Sequence, residues 1–267
     1  MSKKLTDFSN KVKKLLIDIS YSAGIGHIGS ALSIADIISV LYADTLTIYP
    51  NQPTHPKRDR FILSKGHAVA ALYPALYLRG FFSEKMLKTY CGNGTRLGEH
   101  PEYGVPGIEL GTGSLGHGLS VGCGIALAEK LNKKHFNSYV LISDAELNEG
   151  QVWEAAAFAA HNKLSRLTAI VDSNKMQALG NTRDIFNMEP LKDKWLAFGW
   201  RVTEIDGHDL LQIQQAFKHK ASSSPHVIIA HTVRGKGVSF MEHTIDWHYL
   251  SLNHTQYIQT LKELKYT

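Results

Sequence analysis

The stretch Tyr139–Leu164, YVLISDAELNEGQVWEAAAFAAHNKL, contains the transition that decides the fold. It begins with a short apolar run typical of a buried strand and then places three carboxylates close together, at Asp144, Glu146 and Glu149. From Gln151 onward, apolar residues recur at the spacing of a helix. The stretch therefore predicts a strand, an acidic turn and a helix.

The same alternation of strands and helices runs along the rest of the chain. The predicted strands are 61–63, 138–143, 167–173, 200–206 and 226–233, and the predicted helices are 4–22, 33–46, 68–80, 116–134, 151–164, 190–199 and 209–221. This pattern is typical of an α/β fold, with a parallel central sheet and helices on both faces. Since no linker interrupts it, residues 1–267 are predicted to form a single domain, in which residues 250–267 are a peripheral tail. The long segment 90–116, rich in glycine and proline, is predicted to be a functional loop region.

Composition narrows the classes of protein that fit. The 267 residues are 43% hydrophobic and 20% charged, as in ordinary soluble globules. No apolar run approaches the roughly 18 residues of a membrane span, and the N-terminus lacks the apolar core of a signal peptide. The two cysteines, Cys91 and Cys123, cannot form a disulfide framework. We therefore expect a cytoplasmic protein without a membrane partner.

The net charge of +5 and the pI of about 9.0 raise the question of nucleic-acid binding. The lysines, however, are distributed in short groups typical of solvated helix ends, and no nucleic-acid-binding motif is present. We expect no nucleic-acid partner. A basic surface also attracts anionic substrates such as sugar phosphates.

Polar residues follow two of the predicted strands at their carboxyl ends, where ligands bind in parallel sheets. Asp144 follows strand 138–143, and Asn174 follows strand 167–173. Their oxygens are suited to Mg²⁺ or Ca²⁺, and Mg²⁺ commonly takes further ligands from phosphates. The alternative for Asp144 is a helix cap before Leu147, with Glu149 in the first turn favouring the helix dipole. The residues alone leave both interpretations open.

Six segments carry a resemblance to a known family. They are GHIGSALSIADIISVLY, RDRFILSKGHA, GEHPEYGVPGIELGTGSLGHGLSVG, SDAELNEGQVWEAAAFAAHNKL, IVDSNKMQ and RGKGVSFMEHTIDWH. In this order they resemble the N-terminal, pyrophosphate-binding part of transketolase, and particularly the smaller subunit of split transketolases. The resemblance extends from about Ser20 to His248. It implies a fold that binds thiamine diphosphate together with Mg²⁺ or Ca²⁺.

The resemblance also implies roles for residues near the acidic turn. Asp144, the Asn174 side chain and the Met176 carbonyl would hold the metal. Glu149 would be a supporting acid that orients its neighbours. The family's Gly-Asp-Gly motif is here Ser143-Asp144-Ala145. Because glycine tolerates positive φ at low cost and alanine does not, retained but weaker cofactor binding is expected.

Four of the 14 histidines fall on motif positions of the family. The resemblance implies that His67 and His248 contact the diphosphate or flank the reactive carbon, and that His27 and His100 bind the donor sugar. Imidazoles suit these tasks because they exchange protons near neutral pH. His117 would contact cofactor or simply pack, and Tyr249 could narrow the mouth of the site.

The segment Gly113–Ser114–Leu115 matches the family loop that lines the bridge between the two rings of the cofactor. Without the surrounding motifs, it would be interpreted only as a glycine-rich helix entry.

The implied activity is the transfer of a two-carbon ketol unit from a ketose, either a phosphate or a modified sugar, to an aldose. The family's activating glutamate lies on a pyrimidine-binding domain, which is expected here on a separate C-terminal-type chain, in an α2β2 heterotetramer. Activity is then expected only with that partner. The alternatives are half of another thiamine diphosphate enzyme, acting on pyruvate, and a non-catalytic scaffold subunit.

Overall fold

Five parallel strands form the central sheet. The computed structural model describes residues 3–218 and 223–266. The strands are β1 (Arg60–Leu63), β2 (Ser138–Ser143), β3 (Leu167–Ser173), β4 (Arg201–Asp206) and β5 (His226–His231). Their spatial order is β1-β2-β3-β5-β4, and each neighbouring pair is parallel. The predicted α/β fold with a parallel sheet is confirmed.

Helices cover both faces of the sheet. They are α1 (Lys3–Ala23), α2 (Ile28–Val40), α3 (Val69–Leu78), α4 (Glu84–Leu87), α5 (His117–Asn132), α6 (Gly150–His161), α7 (Thr182–Phe186), α8 (Leu191–Ala197), α9 (Leu210–Lys218) and α10 (His254–Glu263). The short helices α4 and α7 and the C-terminal helix α10 were not predicted. Residues 219–221 of the predicted helix 209–221 lie outside the described residues. The predicted loop region 90–116 contains turns and bends but neither helix nor strand.

Successive strand residues enter two different cores, since their side chains point to opposite faces of the sheet. In β2, Tyr139 and Leu141 join the core formed with α1, α2 and α3. Val140 and Ile142 join the core formed with α5 and α6. Burial on both faces explains why the inner strand β2 is mostly apolar, whereas the edge strand β4, RVTEID, is largely polar and less buried.

Helix α2 is the central helix of the first core, and every residue of Ile28–Val40 is buried. With the turn that follows it, the stretch Ile28–Thr45 is long and apolar enough to cross a membrane, with a mean hydropathy of 1.3. Inside the fold, however, 83% of this stretch is buried. A helix that is apolar on all sides is suited to such a place in the core.

The segment predicted as a peripheral tail includes helix α10. The helix begins with a reciprocal capping box between Asn253 and Gln256. Tyr257 stacks on Tyr21 of α1, with ring centroids 4.1 Å apart, and Leu261 is buried. These contacts attach α10 to the first core.

Candidate functional site

The predicted metal ligands lie together at the carboxyl ends of β2 and β3. Asp144, Asn174 and Met176 are all buried. One carboxylate oxygen of Asp144 accepts a hydrogen bond from Ala145 N–H at 2.9 Å, and the other accepts one from Lys175 N–H at 2.7 Å. Asn174 Oδ1 accepts from Met176 N–H at 3.0 Å. The turn after β2 and the loop after β3 are therefore joined through their polar residues.

This oxygen set fits a divalent cation. Carboxylate, amide and carbonyl oxygens each keep free lone pairs after the bonds described above. Burial, and the nearby charge of Asp172, raise the pKa of Asp144 to about 7. A cation would favour the ionised carboxylate and offset this desolvation. Among the described residues no three His, Cys, Asp or Glu side chains cluster as metal ligands, so the fit is to a hard cation held partly by an amide and a carbonyl.

Asp144 also begins the turn that precedes α6. Its side chain accepts from the first N–H of a single 3₁₀ turn, Ala145–Asn148, and α6 itself begins at Gly150 with Glu149 at the N-cap. Asp144 thus caps the 3₁₀ turn and not α6, whose N-cap residue Glu149 makes no side-chain capping bond. The capping bond is compatible with metal binding by the same carboxylate.

A buried ion pair lies beneath these ligands. Lys65 follows β1 and is 1% exposed, and its ammonium group pairs with Asp172 in β3, which is 0% exposed. Asp172 also accepts hydrogen bonds from Ser33 at 2.7 Å, from Asn174 Nδ2 at 2.9 Å and from Thr232. Burial alone would raise the pKa of Asp172, but the charge and hydrogen bond of Lys65 outweigh it and hold that pKa below its usual value. Because Asn174 Nδ2 donates to Asp172, the amide is oriented with Oδ1 toward Met176 N–H, and this oxygen would be the one available to a cation.

Three of the four predicted catalytic histidines form one cluster. The ring centroids of His27 and His248 are 4.7 Å apart, those of His27 and His67 are 5.2 Å apart, and those of His67 and His248 are 5.3 Å apart. His27 precedes α2 and donates its backbone N–H to the carbonyl of His248 at 3.3 Å. The motifs around residues 27, 67 and 248 therefore converge in space.

Burial lowers the pKa of all three imidazoles. The pKa of His248 falls to about 3, through burial and the charge of Arg234, and that of His67 falls well below its usual value, through burial and the charge of Lys65. The pKa of His27 is also lowered by burial, although Glu99 opposes this. All three rings are thus neutral at pH 7 and can accept as well as donate hydrogen bonds.

The neighbourhood also fits a diphosphate. Two buried cations, Lys65 and Arg234, adjoin the histidine cluster. Arg234 donates to the carbonyl of Met176 at 3.0 Å, while its Nε is buried without a hydrogen-bond partner in the described part of the chain. The same holds for Nδ1 of His27. A buried guanidinium N–H without an acceptor is costly, and an anionic group bound here would supply the acceptor for Nε of Arg234.

The fourth predicted histidine, His100, and the glycine-rich segment 113–115 lie at the exposed margin of the candidate site. His100 is partly buried, and Gly113 approaches its ring so closely that a Cβ at Gly113 would be 3.3 Å from Cδ2. Gly113 and Ser114 are exposed, and Leu115 is partly exposed. Gly113, Ser114 and His117 border a cavity of 430 Å³ that also reaches Glu102. His117 is exposed and not packed.

Two acids of this turn have different surroundings, and the role of Glu149 as a supporting acid stays a prediction. Glu149 is exposed at the start of α6. Glu146 is 0% exposed and accepts hydrogen bonds from the backbone N–H groups of Gly116 at 2.9 Å and Ser143 at 2.8 Å, and from Ser64. The 3₁₀ turn directs Glu146 inward, so it orients the neighbouring turns within this chain.

Two departures from the family motif have clear structural settings. Ala145 opens the 3₁₀ turn and is not among the described residues with positive φ, so its methyl group causes no backbone strain there. The hydroxyl of Tyr249 donates to the carbonyl of Ala178 at 3.1 Å, and the side chain is 61% exposed. The side chain of Tyr249 therefore contacts the loop that follows β3, and its narrowing of the site stays a prediction.

Sequence reasoning missed the charged residues Lys65, Asp172 and Arg234. A signal was present in the sequence. Lys65 and Arg234 follow strands β1 and β5, just as Asp144 and Asn174 follow β2 and β3, so all four lie at the carboxyl ends of parallel strands. Asp172 follows the apolar residues 169–171 of the buried strand β3, where a carboxylate needs a buried counter-charge. Examining the charged residues that follow each strand, together with any carboxylate inside a strand, would have identified all three.

Comparison with known proteins places the chain among thiamine diphosphate proteins. A family model described as "Transketolase, thiamine diphosphate binding domain" matches residues 5–266. The chain is 42% identical over 258 residues to an apulose-4-phosphate transketolase subunit of Phocaeicola vulgatus, covering 96% of this chain and 92% of that protein. It is 41% identical over 260 residues to the 6-deoxy-6-sulfo-D-fructose transketolase subunit SqwG of a Clostridium species, covering 96% of this chain and 94% of that one.

A solved structure agrees with this assignment. The transketolase of Campylobacter jejuni superimposes with a TM-score of 0.93 at 32% identity. The match covers 99% of this chain but 43% of the solved chain, so this chain spans less than half of that transketolase.

Proposed function

The chain belongs to the transketolase family, and we propose that it is the pyrophosphate-binding subunit of a transketolase that depends on thiamine diphosphate and Mg²⁺. The observation that carries this proposal is that three kinds of group converge at the carboxyl ends of the strands. These are the oxygens of Asp144, Asn174 and Met176, the buried cations Lys65 and Arg234, and the cluster of neutral histidines. The oxygens suit the metal, the two cations suit the diphosphate, and the histidines suit the part of the cofactor where the sugar reacts.

The residues divide the work of binding and proton handling. Asp144, Asn174 and the Met176 carbonyl would hold the metal, and Lys65 and Arg234 would offset the diphosphate charge. Thiamine diphosphate, when bound, supplies the carbanion chemistry that splits and rebuilds the carbon–carbon bond. His27 and His100 would bind donor oxygens, and His67 and His248 would lie beside the cofactor. Neutral imidazoles can take a proton from a donor hydroxyl and return it to the acceptor.

The proposed reaction transfers a two-carbon ketol unit from a ketose to an aldose. The names of two relatives specify apulose-4-phosphate and 6-deoxy-6-sulfo-D-fructose, both ketoses with an anionic far end. A modified ketose in a dedicated pathway is therefore the proposed class of donor. The basic character of the chain, with a net charge of +5, suits such a substrate.

We propose that activity requires a second chain of the C-terminal type, which carries the pyrimidine-binding domain and the activating glutamate. Both relatives are named as subunits, which supports this, and an α2β2 assembly is the proposed arrangement. Helix α5 provides a surface for that chain. Gly118 and Gly122 face inward, where a Cβ would lie 2.4 Å from Ser64 and from Val140, respectively, but Gly124 faces open space.

Calorimetric titration of thiamine diphosphate in the presence of Mg²⁺ tests the proposal, first with this chain alone and then with the partner chain added. Binding that is far tighter in the mixture, followed by ketol transfer from fructose 6-phosphate, apulose 4-phosphate or 6-deoxy-6-sulfofructose, is expected. Tight binding without ketol transfer would favour another thiamine diphosphate reaction. Absence of binding under both conditions would favour a scaffold role for this chain.

A further inference from the structure

Glu99 places a negative charge at the mouth of the site, next to His27. Its Oε1 lies 3.5 Å from Nε2 of His27, and its side chain is 39% exposed. The cations whose charges act on His27 are Lys65 and Arg234, and both are buried. The site therefore combines a positively charged floor with a negatively charged rim.

The chain holds Glu99 in this place through its neighbours. On one side, Leu97 is fully buried, and its carbonyl accepts a hydrogen bond from Cys91 N–H at 2.7 Å. On the other side, the carbonyl of His100 accepts from the hydroxyl of the buried Tyr73 at 3.0 Å. Glu99 lies between these two anchors, so its backbone is preorganised.

His27 is the site residue that this charge faces. Its backbone has a φ of 58°, in the left-handed region that non-glycine residues adopt at a cost. Residues kept in such conformations are held there by their surroundings, and they concentrate at functional sites. The two ring nitrogens of His27 have different surroundings. Nδ1 is buried without a partner in the described part of the chain, whereas Nε2 faces the carboxylate of Glu99.

We propose that Glu99 determines the class of donor that the site accepts, an inference that rests on the proposed ketol-transfer function. A ketose presents hydroxyl and carbonyl oxygens to His27 and can donate a hydrogen bond to the Glu99 carboxylate. A 2-oxo acid instead carries a carboxylate next to its carbonyl. The negative charge of Glu99 repels that group, so the site selects ketoses against 2-oxo acids.

Two donors with the same hydroxymethyl ketone end, fructose 6-phosphate and 3-hydroxypyruvate, isolate this effect. In both donors, the bond between the ketone carbon and the remainder of the molecule breaks, and the two-carbon hydroxymethyl ketone unit joins the same aldose. The ketose releases a shortened aldose, and 3-hydroxypyruvate takes up one proton and releases CO₂. The kcat/KM for each donor is measured in the complex with the partner chain, for the parent, for Glu99→Gln and for the control Glu102→Gln. Glu102 lies three residues away and is exposed.

In Glu99→Gln the ratio of kcat/KM for 3-hydroxypyruvate to that for fructose 6-phosphate should rise about tenfold, the effect of one charge pair partly screened by water. Glu102→Gln should leave the ratio unchanged. Calorimetric affinity for thiamine diphosphate should be the same in all three proteins.

Three results would overturn this assignment. An unchanged ratio in Glu99→Gln, or an equal loss for both donors together with weaker cofactor binding, would reduce Glu99 to a structural residue and leave the proposed function standing. A parent complex that turns over neither donor would remove the proposed function, and the role of Glu99 with it.

Discussion

The carboxylate of Asp144 accepts a hydrogen bond from the backbone N–H of Lys175 at 2.7 Å, so the ends of β2 and β3 are tied together at the site. Lys175 adopts a φ of 63°, an uncommon conformation for a lysine that this bond helps to hold. The other oxygen of the same carboxylate accepts from Ala145 N–H at 2.9 Å. A single side chain thus orders both turns that carry the proposed metal ligands.

Asp144→Ala should weaken the binding of thiamine diphosphate in the presence of Mg²⁺ by about 100-fold or more, since loss of even an outer-shell partner costs a metal site 10- to 100-fold. The fold should remain, because Asp144 lies at the end of a strand. Calorimetry measures the affinity, and circular dichroism checks the fold. Asp184→Ala is the matched control, since Asp184 borders the adjoining cavity and is exposed. Parent-like affinity in Asp144→Ala would refute the metal assignment.

Ala145→Gly should change the affinity for thiamine diphosphate by no more than about threefold. Ala145 begins a 3₁₀ turn and is not a positive-φ residue, so glycine relieves no strain and adds only modest backbone freedom. The same calorimetric titration measures the change. A large loss of affinity would show that the alanine methyl group packs in the bound state, and a large gain would show that the motif glycine matters to the diphosphate.

The sequence was sufficient for the fold and for placing together the proposed metal ligands that follow strands directly. The strands were apolar and short, and Asp144 and Asn174 came at their ends, where parallel sheets place ligands. It was insufficient for the pair of Lys65 and Asp172, which are separated by 107 positions and meet only in the folded chain. That Glu146 points inward while Glu149 is exposed likewise depends on the geometry of a single turn, which spacing alone does not determine.

The glycines of α5 should respond in opposite ways to alanine. Gly124 lies within the helix and faces open space, so Gly124→Ala should raise the free energy of unfolding by about 0.5–1 kcal/mol. Gly122→Ala should lower it, because the new Cβ would lie 2.4 Å from Cγ2 of Val140. Urea denaturation of this chain measures both. If Gly124 is at the partner interface, Gly124→Leu should also weaken association with the partner chain, and unchanged association would place the interface elsewhere.

The site histidines should make the fold less stable in mild acid. Burial holds the pKa of His248 at about 3 and that of His67 well below its usual value, whereas in the unfolded chain both remain near 6.5. Between these values the unfolded chain binds protons on these two histidines that the folded chain does not, so their contribution to the free energy of unfolding falls as the pH falls below about 6.5. Asp144, whose pKa is raised to about 7, contributes in the opposite direction. Scanning calorimetry over a pH series measures the slope. His248→Gln should show proton uptake on unfolding that is smaller by up to about one proton, and an identical slope would mean that His248 titrates normally in the fold.

The ion pair of Lys65 and Asp172 should matter far more to the fold than a surface pair of the same chemistry. Lys65→Met leaves the Asp172 carboxylate buried without its counter-charge, and such a loss costs about 3–5 kcal/mol. Lys14 forms a comparable contact with Asp18 at 2.7 Å, but it is 44% exposed and lies one helical turn from its partner. Lys14→Met should therefore cost less than about 0.5 kcal/mol, because water screens the charges in both states. Urea denaturation at neutral pH compares the two variants. Equal and small losses in the free energy of unfolding would mean that the Asp172 carboxyl is neutral when Lys65 is absent. Arg234 would then supply the buried positive charge of the site.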